Sequence, residues 1–196
     1  MERIFALIFG APSQPPIDLA RVRDWLASVP INWNRSVVGG SFARFWLTRD
    51  AMLRPRDVDV FVACQTLEDF EQEAARLGAT FPCKDADESE AKYPEHLGVL
   101  GVGVIQNSPI AGMPIQLIGL KMQHPDVDAG DVLAAKTDVV GGTWVRLRQG
   151  KWQFTVMEAT AGGGCVLPKE LPLMACATHP RFTKYQDKGF SFFQEV

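Results

Sequence analysis

Val37-Val38-Gly39-Gly40-Ser41-Phe42-Ala43-Arg44, followed 16 residues after the serine by Asp57-Val58-Asp59-Val60-Phe61-Val62, decides the reading of this chain. Residues 34–38 end in an apolar, β-branched run, which predicts a short buried strand. Two glycines then interrupt the chain, and the pattern of residues 41–47 predicts a helix that starts directly behind them. The acidic segment predicts a further strand. Side chains alternate along it, so Asp57 and Asp59 fall on one face while Val58, Val60 and Val62 fall on the other. Strand, glycine turn, helix and strand in that order make an α/β arrangement.

The spacing carries chemistry. Residues two apart on a strand have Cα atoms about 6.6 Å apart, so two short carboxylates there can lean toward one shared cation. Such hard oxygen donors suit Mg²⁺ or Mn²⁺. Glycines let the backbone come close to a phosphate, and the free N–H groups at a helix start favour negative charge. The Ser41 hydroxyl adds a donor, and Arg44, one helical turn on, adds a cation for the same phosphates. Joined in this order, the two halves predict a site for a nucleoside triphosphate and its metal. Each half has a plainer alternative: a turn chosen for close helix packing with Ser41 as its N-cap, and a solvated strand end for the acids.

On these residues the chain resembles the nucleotidyltransferase superfamily, the polymerase-beta-like group that includes tRNA-tailing, poly(A)-adding and antibiotic-adenylating enzymes. Gly39, Gly40 and Ser41 match its glycine turn, and Asp57 and Asp59 match its acid-apolar-acid strand. The resemblance spans residues 30–80 and extends to the remainder only by architecture. It implies an α+β fold with a mixed sheet flanked by helices. It also implies transfer of a nucleoside monophosphate from a triphosphate to a hydroxyl on an RNA end, a protein or a small molecule. Asp57 and Asp59 would then be catalytic and hold the metal, and Gly39, Gly40, Ser41 and Arg44 would hold the nucleotide.

The family places a third acid on a later strand, and there this chain has Gln116, which carries no negative charge. Asp138, at the start of a further candidate strand, is the substitute, with a turn or helix-end role as its alternative. Without a third carboxylate one metal can still organise a triphosphate, but activation of the attacking hydroxyl loses its obvious agent. A second expectation is therefore a catalytically inactive member of the fold, acting as a viral effector on a host protein.

Composition bounds these readings. A chain of 196 residues with 46% hydrophobic and 22% charged residues has enough apolar surface for one globular domain. A net charge of −3 argues against binding long nucleic acid by overall electrostatics. Cys64, Cys83, Cys165 and Cys176 lack metal-type spacing, which predicts reduced thiols and a cytoplasmic protein, in the host cytoplasm if the chain is viral. Cys165, beside three glycines, has no histidine evidently paired with it as a nucleophile would need. Residues 1–9 are too short an apolar run to span a membrane and read as a strand.

The rest of the chain alternates. Asp18 caps a helix with Leu19, Val22, Leu26 and Val29 on one face, and Pro30 ends it. Thr66 caps another, with Leu67, Phe70, Ala74 and Leu77 inward and Gly78 at its close. Residues 82–95 form an acidic surface loop, with a lid over a nucleotide as the sharper reading. Segments 97–105 and 113–120 pair as a hairpin, in which Gly101 and Gly103 mark bulges or a ligand's close approach. A short helix covers residues 126–136, and a second hairpin joins 144–148 to 152–156 across Gln149-Gly150-Lys151.

Near the C-terminus, Arg181, Lys184, Tyr185 and Lys188 interleave with phenylalanines, a composition suited to stacking on bases and neutralising phosphates. The segment resembles the basic, tyrosine-containing tail of nucleotidyltransferase-like proteins encoded by bacterial viruses. A terminal element docking its aromatics into the core is the alternative, and a nucleic-acid-binding module centred on this tail is a third functional expectation.

Overall fold

The caps and stops of the helices over 19–28 and 67–76 are where the sequence puts them. The computed structural model describes residues 17–49, 55–81, 98–105, 108–109, 113–136, 143–156, 170–172 and 191–193. Helix α1 (Leu19–Ser28) starts where the Asp18 carboxylate accepts the Arg21 N–H at 3.0 Å, and it ends at Val29, whose extended backbone suits the proline that follows. Strand β1 (Ser36–Gly39) runs directly into helix α2 (Gly40–Thr48). Asn34 and Arg35, expected at the start of that strand, lie in the turn before it.

Strand β2 (Val58–Cys64) leads into helix α3 (Leu67–Arg76), where the Thr66 hydroxyl accepts the Asp69 N–H at 3.1 Å. Gly78, with φ of 67°, closes that helix. Strands β3 (Ala79–Thr80), β4 (Val99–Ile105) and β5 (Ile115–Lys121) follow. Helix α4 (Ala129–Lys136) opens on a reciprocal cap, in which Asp128 accepts the Asp131 N–H and Asp131 accepts the Asp128 N–H. Strands β6 (Thr143–Arg148) and β7 (Lys151–Val156) form the expected hairpin. Its turn residues Gln149 and Gly150 are both left-handed, as a type I′ turn needs. Strands β8 (Glu170–Pro172) and β9 (Ser191–Phe193) pair in parallel in a separate two-stranded sheet.

The main sheet has seven strands in the order β3-β4-β5-β2-β1-β6-β7. It is mixed, because β2 and β5 are parallel while β1 runs antiparallel to both β2 and β6. With helices on both faces, this is the α+β class that the sequence predicts. Val58, Val60 and Val62 face one core, with Val22 and Leu26 of α1, Phe42 of α2 and Phe70 of α3. Phe61 and Ala63 face the other, with Ala129, Val132 and Leu133 of α4. No helix among the described residues is long and apolar enough to cross a membrane.

A local expectation on α3 needs correction. Leu67, placed on the inner side of α3, is 48% exposed, because as the first residue of the helix it lies at the rim of the sheet contact, with its Cδ1 near Gly101. Gly101 marks an irregularity in the ladder, as the bulge reading expects, and it also serves packing. The register shifts between Val99 and Gly101, and a Cβ at Gly101 would stand 2.8 Å from the Phe70 ring. Gly119, on the neighbouring strand, meets the same ring at 2.6 Å. Gly119→Ala should therefore cost about 1–3 kcal/mol through overpacking, seen as a lower denaturant midpoint with an unchanged slope.

Candidate nucleotide site

The glycine turn and Asp59 converge because β1 and β2 are paired. Gly39 is the register partner of Asp59 across the antiparallel ladder, so the turn after β1 and the start of β2 share one end of the sheet. Gly39 must lack a side chain, since a Cβ there would stand 2.7 Å from the Phe61 ring. Gly40 is constrained twice. Its φ is 68°, and a Cβ on it would lie 2.9 Å from Asp59 Oδ2. The carboxylate thus rests against the bare backbone where α2 begins.

Asp59 is partly buried on β2. Asp57, also partly buried, precedes the strand at a bend, so strict alternation starts only at Val58. Ser41 is the second residue of α2. The N-cap is Gly39, which makes no side-chain cap, so the N-cap role considered for Ser41 does not hold. Arg44 is 3% exposed, one turn into a helix that is apolar on most of its surface. Its carbonyl accepts the Thr48 hydroxyl at 2.9 Å.

On the other side of Asp59 stands Gln116. Parallel pairing of β2 with β5 makes these two residues register partners, so their side chains leave the same face of adjacent strands. The position expected to supply a third carboxylate therefore does adjoin Asp59, and it holds an amide. Asp138, Arg181, Lys184, Tyr185 and Lys188 lie outside the described residues, as do residues 1–9, residues 82–95, Cys83, Cys165 and Cys176.

Does this end of the sheet fit a divalent cation? The donors are hard carboxylate oxygens, and the cradle at Gly40 leaves backbone beside Asp59 Oδ2 that any side chain would fill. In both respects the residues fit a hard divalent cation such as Mg²⁺ or Mn²⁺. Among the described residues no group of three or more His, Cys, Asp or Glu side chains is placed to hold a metal by itself.

Elsewhere a buried ion pair serves the fold. The sequence reading missed the pair of Asp128 with Arg146, whose side chains are 14% and 11% exposed. Its only local signal was an arginine within the strand pattern 143–148. Arg146 binds Asp128 through two nitrogens, one at 3.0 Å. Burial pushes the Asp128 carboxyl up, but the Arg146 hydrogen bonds, the Asp131 and Gly130 N–H groups and the Arg146 charge outweigh it and hold the carboxyl below its usual value. A carboxyl depressed in the folded state stabilises fully above its unfolded pKa of about 3.9, and that contribution fades as pH falls through the folded value. The stability gap between the native chain and Asp128→Asn should therefore shrink between neutral pH and about pH 2, as read from denaturant melts. A gap that stays constant would remove the pair from the account.

Cys64 is a free, buried thiol pushed up to about 12, first by burial and then by the Asp69 charge, so it stays protonated and unreactive.

No protein-family model matches the chain. No curated protein sequence matches it either. Among solved structures, the chain is similar to one described as a tRNA-processing enzyme complex, with 14% identity and a TM-score of 0.47. The alignment covers 81% of this chain and 40% of that one, so the chain spans less than half the length of that structure's chain.

Proposed function

We propose that this chain is a metal-dependent nucleotidyltransferase. One observation carries the reading: Gly40, in a left-handed turn that opens α2, lies directly against the carboxylate of Asp59. A triphosphate entering there meets backbone N–H groups of Gly40 and Ser41 at a helix start, with the buried charge of Arg44 behind them. Asp57 and Asp59 hold the cation that accompanies the phosphates. When bound, Mg²⁺ or Mn²⁺ supplies charge neutralisation at the triphosphate. The chain's own part is positioning. It holds the α-phosphorus where an acceptor hydroxyl can reach it in line with the departing pyrophosphate.

Gln116 supports a second reading. An amide beside Asp59 neither takes a proton from an acceptor hydroxyl nor binds a second cation as a carboxylate would. Under this reading the chain binds a nucleotide without transferring it. Incubation with four radiolabelled nucleoside triphosphates, a divalent metal and cell RNA and protein tests both. Label on a macromolecule supports transfer. Metal-dependent binding without label, together with label gained in Gln116→Asp, supports the second reading.

A further inference from the structure

Strands β2 and β5 lie side by side and parallel, yet the chain leaves them in opposite directions. From β2 it crosses into α3, which packs on the face of Val60 and Val62, and from β5 it crosses into α4, which packs on the face of Phe61 and Ala63. Where neighbouring parallel strands send their helices to opposite sides, the two outgoing loops part and leave a crevice at the carboxyl end. This chain has a cleft of about 510 Å³ at that place, walled by the loop after β2, the loop after β5 and the first turns of α3. Six residues of extended strand separate Asp59 from Gln65, about 20 Å, so the cleft is separate from the glycine-and-acid end.

The lining selects a ligand class. Arg35 donates to Asp69 at 2.9 Å, while its buried Nε has no hydrogen-bond partner among the described residues. Glu68 and Asp69 lie in the first turn of α3, where they already compensate the helix dipole and repel an anion. The Arg35 guanidinium, paired with Asp69, offsets one of these two carboxylates, so the lining offers donors and acceptors side by side. Hydroxyl groups satisfy both signs, since each donates to a carboxylate and accepts from an N–H. Gln65 and Gln72 add amides of both kinds, and Met122 and Pro125 supply an apolar wall for the C–H face of a ring.

We propose that this cleft binds a neutral polyhydroxylated ring, a free sugar or the ribose of a nucleoside, through Arg35, Glu68 and Gln72. The site is independent of the proposed transfer chemistry and would be a second small-molecule site on the same sheet. The test is a ¹H–¹⁵N titration of the full chain with D-ribose and with adenosine, with inorganic phosphate and spermidine as ionic probes. Saturable shifts at the amides of Gln65, Thr66, Glu68 and Met122 are expected from a neutral probe. A response to ribose identifies a sugar, and a response to adenosine alone identifies a nucleoside. Glu68→Gln or Gln72→Ala, both at exposed positions, should weaken that binding about tenfold, and Asp57→Asn with Asp59→Asn should leave it unchanged. The proposal is overturned if neither neutral probe shifts those amides, if only phosphate or spermidine does, if both cleft variants bind normally, or if the aspartate double variant loses the response.

Discussion

Replacing Asp57 and Asp59 together by asparagine should abolish metal-dependent nucleotide binding and any transfer while leaving the fold in place. The substitution keeps side-chain volume and removes the charges that attract the cation. Neutralising a triphosphate through a bound ion is worth several kcal/mol, so a loss of about a thousandfold or more in metal-dependent affinity is expected. The fold should survive because the core around β2 is made by the valines on one face and by Phe61 and Ala63 on the other, none of which changes. Circular dichroism and a denaturant melt check the fold, and titration with nucleotide and metal checks the site. A double variant that still labels an acceptor would move the chemistry away from β2.

Gly40→Ala should be nearly as damaging, for a different reason. A left-handed non-glycine residue costs about 1–2 kcal/mol in backbone strain. The added methyl also collides with Asp59, because it would sit 2.9 Å from Oδ2. Either the carboxylate or the helix start has to move, and a displacement near 1 Å at a reacting site costs about a hundredfold in rate. Gly78→Ala is the matching control. Its φ of 67° gives the same strain, and nothing lies within 4 Å of the added Cβ. Both variants should lose the stability that backbone strain costs, with the collision adding to the loss in Gly40→Ala, while only Gly40→Ala loses nucleotide binding. Equal effects on binding would show that backbone strain, and not contact with Asp59, is responsible.

What could be read from the sequence is what short-range chemistry dictates. Asp18 and Thr66 mark their helices because a capping oxygen must stand next to the N–H groups it satisfies. Gln149-Gly150 marks its hairpin because few residues accept two left-handed positions in succession. The convergence of Gly39 with Asp59 was implied by their order but is produced by strand pairing, a tertiary event. Gln116 was recognisable as a break in the acid pattern, yet its place beside Asp59 follows from the parallel register of β2 and β5, which no local spacing encodes.

Burial produced the differences. Arg44 was read from its spacing alone, one helical turn beyond the glycine turn, and spacing does not report burial. In the fold, α2 is packed against the sheet so completely that the arginine is enclosed with Phe42, Ala43 and Trp46. Asp128 and Arg146 are 18 residues apart and meet only once α4 has packed on the sheet. The cleft beside Arg35 and Asp69 arises from the divergence of two helices, a property of topology and not of any motif.

Isothermal titration of ATP, GTP, CTP and UTP, with Mg²⁺ and then with a chelator, tests the central claim most directly. The account predicts saturable binding of at least one triphosphate that depends on the metal and disappears in Asp57→Asn with Asp59→Asn. Absence of metal-dependent affinity for all four, or the same affinity in the double variant, would contradict it.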